Sequence, residues 1–331
     1  MPENIQRIYD QIINCEYDIL TGLVGSPVSH SLSPFIHNNA FRRLNLSGYG
    51  YDIFDVKRDE LEDFVHMIKN NFILKEKINC IRDDINNSAK AAGYFKMILG
   101  FNVTMPHKRN ISAYLDELKG SCALTGIVNT VKAENGRLTG YNTDGEGFFN
   151  ALKNMKQSST GKTMTILGAG GAAGAILVSA AEHKLGTINV INRSGPGIDN
   201  IRLILNKMIN SPDLDLVSKI NIFTDEDKSL MDDIIFSSDI LVNATPIGMC
   251  DPDRPDKNEK RSFLGSFDAL HPGLFVADLI YEPRMTELLI EADKRKLDYM
   301  NGLNMLYEQA ALSFKIWTGS EFPQDCESNF Y

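Results

Sequence analysis

The residues best placed to do chemistry come in short polar runs inside apolar surroundings. GAGGAAG at 168–174 directly follows the apolar run Thr163–Leu167 and precedes an Ala-rich helical pattern, 172–185. Glycines between a strand and a helix let the backbone approach a pyrophosphate, which then sits against the N–H groups of the helix end. Gly168, Ala169, Gly170, Gly171 and Ala172 are therefore the expected phosphate cradle, with Ala173 at the last position of the fingerprint. A second apolar run, Thr187–Ile191, ends in Asn192, Arg193 and Ser194. No acidic residue stands there to accept from ribose hydroxyls. Arg193 instead suits a 2′-phosphate, which points to NADP ahead of NAD. A surface arginine at a strand end is the plainer alternative. Asp199 is a rival ribose contact, and Gly197 stands where a second clamping arginine is expected.

Three further runs are too polar for their settings: SHSLSP at 29–34, NVTMPHK at 102–108 and YNTDGEG at 141–147. Ser33 before Pro34 qualifies as a helix N-cap, as does Asp144 before a helical pattern. Lys108 follows a buried strand and a proline and is expected in the first turn of a short helix. The positive helix end disfavours its charge, whereas a nearby carboxylate favours it, a competition suited to a group that exchanges a proton.

These runs, with GIVNT (126–130), GAGGAAG and NMLYEQAALSF (304–314), resemble the shikimate dehydrogenase family in the same order along the chain. The segment HPGLFVADLIYEPRMTELL and the later WTGSEFP resemble its quinate/shikimate branch. The resemblance implies a reversible oxidation of a ring hydroxyl by NADP or NAD, with no metal. It implies that Ser31 and Ser33 bind the substrate carboxylate. Thr104, Lys108, Asn129 and Asp144 would bind ring hydroxyls, and Gln309 would close over the substrate. Lys108 and Asp144 would form the acid–base pair, and Met305 would lie near the nicotinamide. Each has a structural alternative: Asn129 as a turn residue, Gln309 as a buried amide, Met305 as core.

The elements that must position these groups alternate. Strands are expected at 17–24, 49–56, 100–104, 127–132 and 137–141, with helices at 34–44 and 59–69 and a hairpin turn at Asn135-Gly136. After residue 160 the alternation becomes strand–helix–strand, with further strands at 220–223, 239–244 and 274–279. The expected architecture is α/β: two α/β domains flanking a cleft, the second a Rossmann-type doubly wound parallel sheet. The first would be residues 1–143 plus 303–331, and the second 144–302. Residues 70–97 fit this pattern poorly, with only a weak helix-like run, SAKAAGYFKMI, and read as an insertion.

Composition sets the bounds. The chain has 331 residues, 43% hydrophobic and 23% charged, enough for more than one packed core. A net charge of −9 argues against a nucleic-acid surface. No run approaches the roughly 18 apolar residues of a membrane span. The first residues carry neither a basic nor an apolar leader region. Five widely spaced cysteines without a CxxC, and six scattered histidines, suggest a reducing cytoplasm and no zinc site. The expected partner is a small-molecule substrate, with the chain a monomer or homodimer. A non-catalytic nucleotide-sensing module is the more distant alternative.

Overall fold

The computed structural model describes residues 1–72, 96–212, 214, 217–224, 227, 230–249, 263–264 and 266–323. Most of the expected insertion, 73–95, lies outside the described residues. The chain divides into two compact units, Met1–Thr143 with Ala310–Tyr331, and Asp144–Gln309.

The first unit is built on a mixed sheet. Its strands are β1 (Ile19–Gly25), β2 (Tyr49–Asp55), β3 (Met97–Ile98), β4 (Gly100–Val103), β5 (Glu117–Leu118), β6 (Thr130–Glu134) and β7 (Arg137–Tyr141). They run in the order β2-β1-β4-β6-β7-β5, with β3 also paired to β1. β1 is parallel to β2 and β4, whereas the hairpin β6–β7 is antiparallel. β1 is buried along its whole length, so it reads as a continuous apolar run rather than an alternation. Asn135 and Gly136 both take positive φ, the conformation a two-residue hairpin turn demands.

Helix α1 (Glu3–Asn14) is an addition to the expected set. Ile5, Ile8 and Ile12 recur at helical spacing and are fully buried. Its polar face covers the open edge of β2: Gln11 Nε2 donates to the Ile53 carbonyl at 3.1 Å and Asn4 Nδ2 to that of Asp55 at 3.1 Å. Asn38 on α2 (Ser33–Arg43) pairs with both backbone groups of Tyr51 on the same strand. An edge capped in this way cannot recruit another strand. The apolar face of α3 (Leu61–Asn71) closes this core around Phe54, Phe64 and Phe101.

Three details differ from expectation. Ser33 is not the N-cap of α2; Leu32 holds that place, and Ser33 is the first helical residue with its side chain turned inward. Ser31 takes over the local role, its Oγ accepting from the Ser33 N–H at 3.2 Å. Strand β6 begins at Thr130, so Asn129 lies in the connection before it. Lys108 sits in a turn ahead of the 3-10 helix Asn110–Tyr114 rather than in a helical first turn. Its carbonyl accepts from the Val128 N–H at 2.7 Å.

The second unit carries β8 (Thr163–Leu167), β9 (Thr187–Ile191), β10 (Lys219–Phe223), β11 (Ile240–Asn243), β12 (Phe275–Asp278) and β13 (Tyr299–Met300). Their order is β10-β9-β8-β11-β12-β13, and the pairings are all parallel. The direction of winding reverses between β8 and β11, and ligands bind at the carboxyl ends of strands at such a switch point. A short helix α4 (Ser121–Thr125) belongs to the first unit, and α5 (Asp144–Asn154), α6 (Gly171–Glu182), α7 (Pro196–Ile209), α8 (Met231–Phe236) and α9 (Glu287–Lys294) to the second.

The last helix, α10 (Gly302–Thr318), is continuous, and the division falls within it at Ala310 rather than at 303. The reason is local packing. A Cβ added at Gly147 of α5 would stand 2.7 Å from the Gln309 backbone nitrogen, so this end of α10 lies tightly on α5. Further along, Trp317 Nε1 donates to the Val131 carbonyl at 2.9 Å in the first unit. Among the described residues no helix is long and apolar enough to cross a membrane.

Candidate active site

In the first unit the site is organised around a buried polar core. Tyr51 on β2 is 2% exposed, and its hydroxyl donates to Asn102 Oδ1 at 2.8 Å. Ser33 hydrogen-bonds the same phenol, and burial pushes the Tyr51 pKa well above its ordinary value, so it stays a neutral donor. Asn102 on β4 turns its amide Nδ2 toward the Asn129 carbonyl, Thr130 Oγ1 at 3.0 Å and Ser313 Oγ at 3.0 Å.

Asn129 is held from the other side. Its Oδ1 accepts from the Thr143 backbone N–H at 2.8 Å and from Thr130 Oγ1 at 2.9 Å. A backbone N–H can only donate, so the amide orientation is fixed, and Nδ2 donates to Thr143 Oγ1 at 2.9 Å. The Asn129 side chain thus ties the connection before β6 to the stretch that ends at Thr143. The connection carrying it is tied to the lysine turn by the Val128–Lys108 bond and to β4 by Val103 N–H donating to the Asn129 carbonyl. Ser33, Asn129 and the Lys108 turn are therefore brought onto one side-chain and backbone framework. Thr104, half-buried, joins it through its N–H, which donates to the Val24 carbonyl at 2.9 Å, and its methyl lies against Gly25. No side chain fits at Gly25 beside it.

His107 next to the lysine is buried. Its Nε2 lies 2.6 Å from the Val56 carbonyl, so that nitrogen carries the proton. Burial lowers its pKa, which keeps the ring neutral and the anchor intact. Tyr51, Asn102, Thr130, Thr143, His107 and Ser313 were not among the residues singled out from sequence. For Asn102 and Thr143 the signal was present, as polar residues inside buried runs. Ser313, a lone serine in a largely apolar helical stretch, gave none.

In the second unit the glycine-rich loop lies at the switch point. Gly168 follows β8 with φ +109°, and a Cβ there would approach the Ala244 carbonyl oxygen beyond β11 to 2.9 Å. Only glycine meets both demands. Gly168 N–H donates to the Ile191 carbonyl at 2.7 Å, fixing the loop between two strand ends. A Cβ at Gly170, the N-cap of α6, would meet nothing within 4 Å. The first intrahelical bond after it runs from Gly174 N–H to the Gly170 carbonyl. The N–H groups of Gly171 and Ala172 thus precede the helical ladder, beside the open space at Gly170, a fit for a pyrophosphate.

Asn192 folds back onto its own strand end, its Nδ2 donating to the Arg193 carbonyl at 3.0 Å. Arg193 and Ser194 are exposed. A Cβ at Gly197 would press to 3.0 Å on Asn192 Nδ2 and to 3.2 Å on Ala169 Cβ, so glycine there serves the packing of α7 on the loop. Asp199 is exposed and lies 3.5 Å from Arg202, one helical turn on. Asp144 opens α5 and is 5% exposed. Gln309 Nε2 donates to the Leu306 carbonyl at 2.9 Å, and Met305 is buried. Lys108 and Asp144 belong to different units. No group of three or more metal-ligating side chains occurs among the described residues.

Comparison with known proteins identifies the family. The family profile for the shikimate dehydrogenase substrate-binding domain matches residues 23–93 and 72–131, and that for the shikimate 5'-dehydrogenase C-terminal domain matches 302–326. A shikimate dehydrogenase (NADP(+)) of Alkaliphilus metalliredigens is 37% identical over 307 residues, 93% of this chain and 94% of its own. The crystal structure of a Listeria monocytogenes shikimate 5-dehydrogenase in complex with shikimate and NAD superposes with a TM-score of 0.75 at 36% identity, covering 94% of this chain and 96% of that one. A shikimate dehydrogenase in complex with NADP+ gives a TM-score of 0.73 at 34% identity, covering 96% and 95%. With its sheet order, its glycine loop and its polar core, the chain belongs to the shikimate dehydrogenase family.

Proposed function

We propose that this chain catalyses the reversible oxidation of shikimate to 3-dehydroshikimate with NADP, and more weakly with NAD. The observation that carries this reading is the polar core of the first unit. It fixes Ser33 and Asn129 on one framework with the Lys108 turn, a donor set suited to a hydroxylated carboxylic acid. The Listeria relative bound to shikimate and NAD supports it.

Ser31 and Ser33 hydrogen-bond the carboxylate. Thr104, Asn129, Lys108 and Asp144 take the ring hydroxyls, and Gln309 closes over the substrate. The Gly168–Ala172 loop holds the pyrophosphate, Asn192, Arg193 and Ser194 face the adenosine ribose, and Met305 lines the nicotinamide. Bound NADP supplies the hydride acceptor. Lys108, partnered by Asp144, takes the hydroxyl proton during oxidation. In reduction its ammonium returns that proton to the ketone oxygen.

Quinate is the second substrate to consider, because 271–289 and 317–323 resemble the quinate/shikimate branch. Initial rates with shikimate and with quinate, each with NAD and NADP, test the reading. Shikimate with NADP is expected to give the highest kcat/KM. No turnover of either acid with either cofactor would overturn it.

A further inference from the structure

The C-terminal helix contributes a hydroxyl to the polar core, and nothing in the assigned chemistry uses it. Ser313 on α10 is fully buried. Its Oγ accepts from Asn102 Nδ2 at 3.0 Å and lies 2.8 Å from Thr130 Oγ1 and 3.2 Å from Thr143 Oγ1. Those three residues come from three separate stretches: β4, the start of β6, and the connection that ends at Asp144. Two of them, Thr130 and Thr143, are the same residues that fix the amide of Asn129.

We propose that Ser313 is a positioning residue for shikimate oxidation: its hydroxyl, placed among Asn102, Thr130 and Thr143, holds the side chain of Asn129 in its substrate-binding orientation. The proposal rests on the reading of Asn129 as a substrate ligand.

The argument is one of satisfied groups. Each of the five side chains is at most 5% exposed, so solvent does not replace a missing partner without cost. The Asn102 amide is anchored at one end by the Tyr51 hydroxyl and at the other by Ser313. Removing the Ser313 hydroxyl leaves Thr130 and Thr143 to find other partners. Both have Asn129 as their neighbour, so their rearrangement reaches the amide that reads the substrate. Alanine fits the space with one atom fewer, which leaves the helix and its packing in place. The neighbouring aromatic contacts of α10, Phe314 against Phe41 and Trp317 against the Val131 carbonyl, do not involve the hydroxyl.

The test compares full-length variants by steady-state kinetics and thermal unfolding. Ser313→Ala is expected to lower kcat/KM for shikimate by about fivefold, the scale of one hydrogen bond. KM for NADP should stay within about twofold, since the cofactor loop is untouched. Placed in an Asn129→Ala background, Ser313→Ala should have no further effect on kcat/KM, although it still lowers Tm. A merely structural role would lower Tm alike in both backgrounds and leave the shikimate term unmoved. Thr130→Val gives the same readout should Ser313→Ala fold poorly. Unchanged kcat/KM in Ser313→Ala, or an equal loss in the Asn129→Ala background, overturns the proposal. Lys108→Ala, assayed alongside, separates the two failures. If Lys108→Ala is inactive and Ser313→Ala is normal, only the positioning role falls. If Lys108→Ala is active, the reading of the site falls.

Discussion

The two units hold their functional groups by opposite means. The first uses side chains: Tyr51, Asn102, Thr130, Thr143 and Ser313 are buried and bonded to one another, and they fix Asn129 and Ser33. The second uses the main chain: the Gly168–Ala172 loop offers backbone N–H groups, and its shape requires the absence of a side chain at Gly168. The ligands proposed for the two units account for the difference. A ring bearing several hydroxyls is recognised by donors and acceptors aimed individually, which needs side chains with fixed orientations. A pyrophosphate is recognised by charge and by several N–H groups at once, which a helix end supplies without any side chain. Removal of polar atoms should therefore damage the first unit, and addition of carbon atoms the second.

The largest effect should come from Lys108. Lys108→Ala is expected to lower kcat by roughly 10² or more, the scale of losing a positioned acid–base group. The KM for NADP should hold, because the lysine belongs to the side-chain-built unit. Pre-steady-state and steady-state rates with shikimate check this. A variant with more than about half the original kcat would mean that another group carries the proton.

Gly168→Ala tests the other half of the comparison. The φ of +109° and the 2.9 Å approach to the Ala244 carbonyl impose strain on any side chain. A loss of about 1–3 kcal/mol of stability is expected, with a rise in the KM for NADP and little change in that for shikimate. A variant of normal Tm and normal NADP affinity would show that the loop does not depend on its glycine.

How legible this was in the sequence differs between the units for the same reason. The glycine loop and the parallel strands around it are local signals, a fingerprint between two apolar runs, and β8 and β9 fall on the expected residues. The polar core is not local. Ser313 meets Asn102 across 211 positions, and nothing in the spacing of either announces the other. Lys108 and Asn129 were found through motif resemblance, but their restraint by Val128, Thr130 and Thr143 depends on strand pairing. Helix α1 carries its period openly at Ile5, Ile8 and Ile12, yet a search of the N-terminus for leader features passes over it.

The first unit's reliance on buried polar side chains also has a pH signature. His37 on α2 is fully buried, and neither ring nitrogen has a hydrogen-bond partner among the described residues. It stacks on Tyr51 at 4.4 Å and is enclosed by Phe314, Trp317 and Phe322, none of which carries a charge. Burial lowers its pKa from 6.5 to about 3. Between these values the unfolded chain binds a proton that the folded chain does not, so stability rises with pH. The contribution is complete above about pH 6.5 and is lost as pH falls toward 3, by up to about 1.4 kcal/mol per unit. His37→Phe should flatten this acid limb in urea unfolding between pH 6.5 and 4.5. An identical slope in the variant would place the acid sensitivity elsewhere.

The smallest effect should be at Arg193, where the proposed cofactor site departs from that rule and relies on a side chain. Arg193 is exposed at the end of β9, so a pair with a 2′-phosphate is screened by solvent and is worth about 1 kcal/mol rather than the 1.5–3 of a shielded charge-assisted bond. No second arginine stands at Gly197, where a side chain would press on Asn192 Nδ2 at 3.0 Å and on Ala169 Cβ at 3.2 Å. Asp199, the residue that would repel the phosphate, is turned toward Arg202, which offsets its charge. NADP should therefore lead NAD by a modest factor, about five- to tenfold in kcat/KM. Arg193→Ala should erase most of that lead and leave NAD turnover nearly unchanged, because a ribose hydroxyl makes no demand on the guanidinium. The measurement is kcat/KM with each cofactor in the original chain and the variant. A chain that prefers NAD by more than about tenfold, roughly 1.4 kcal/mol, would assign cofactor choice to Asp199 instead. The second unit would then read its ribose through an acidic side chain, and the contrast between the two units would stop at the pyrophosphate.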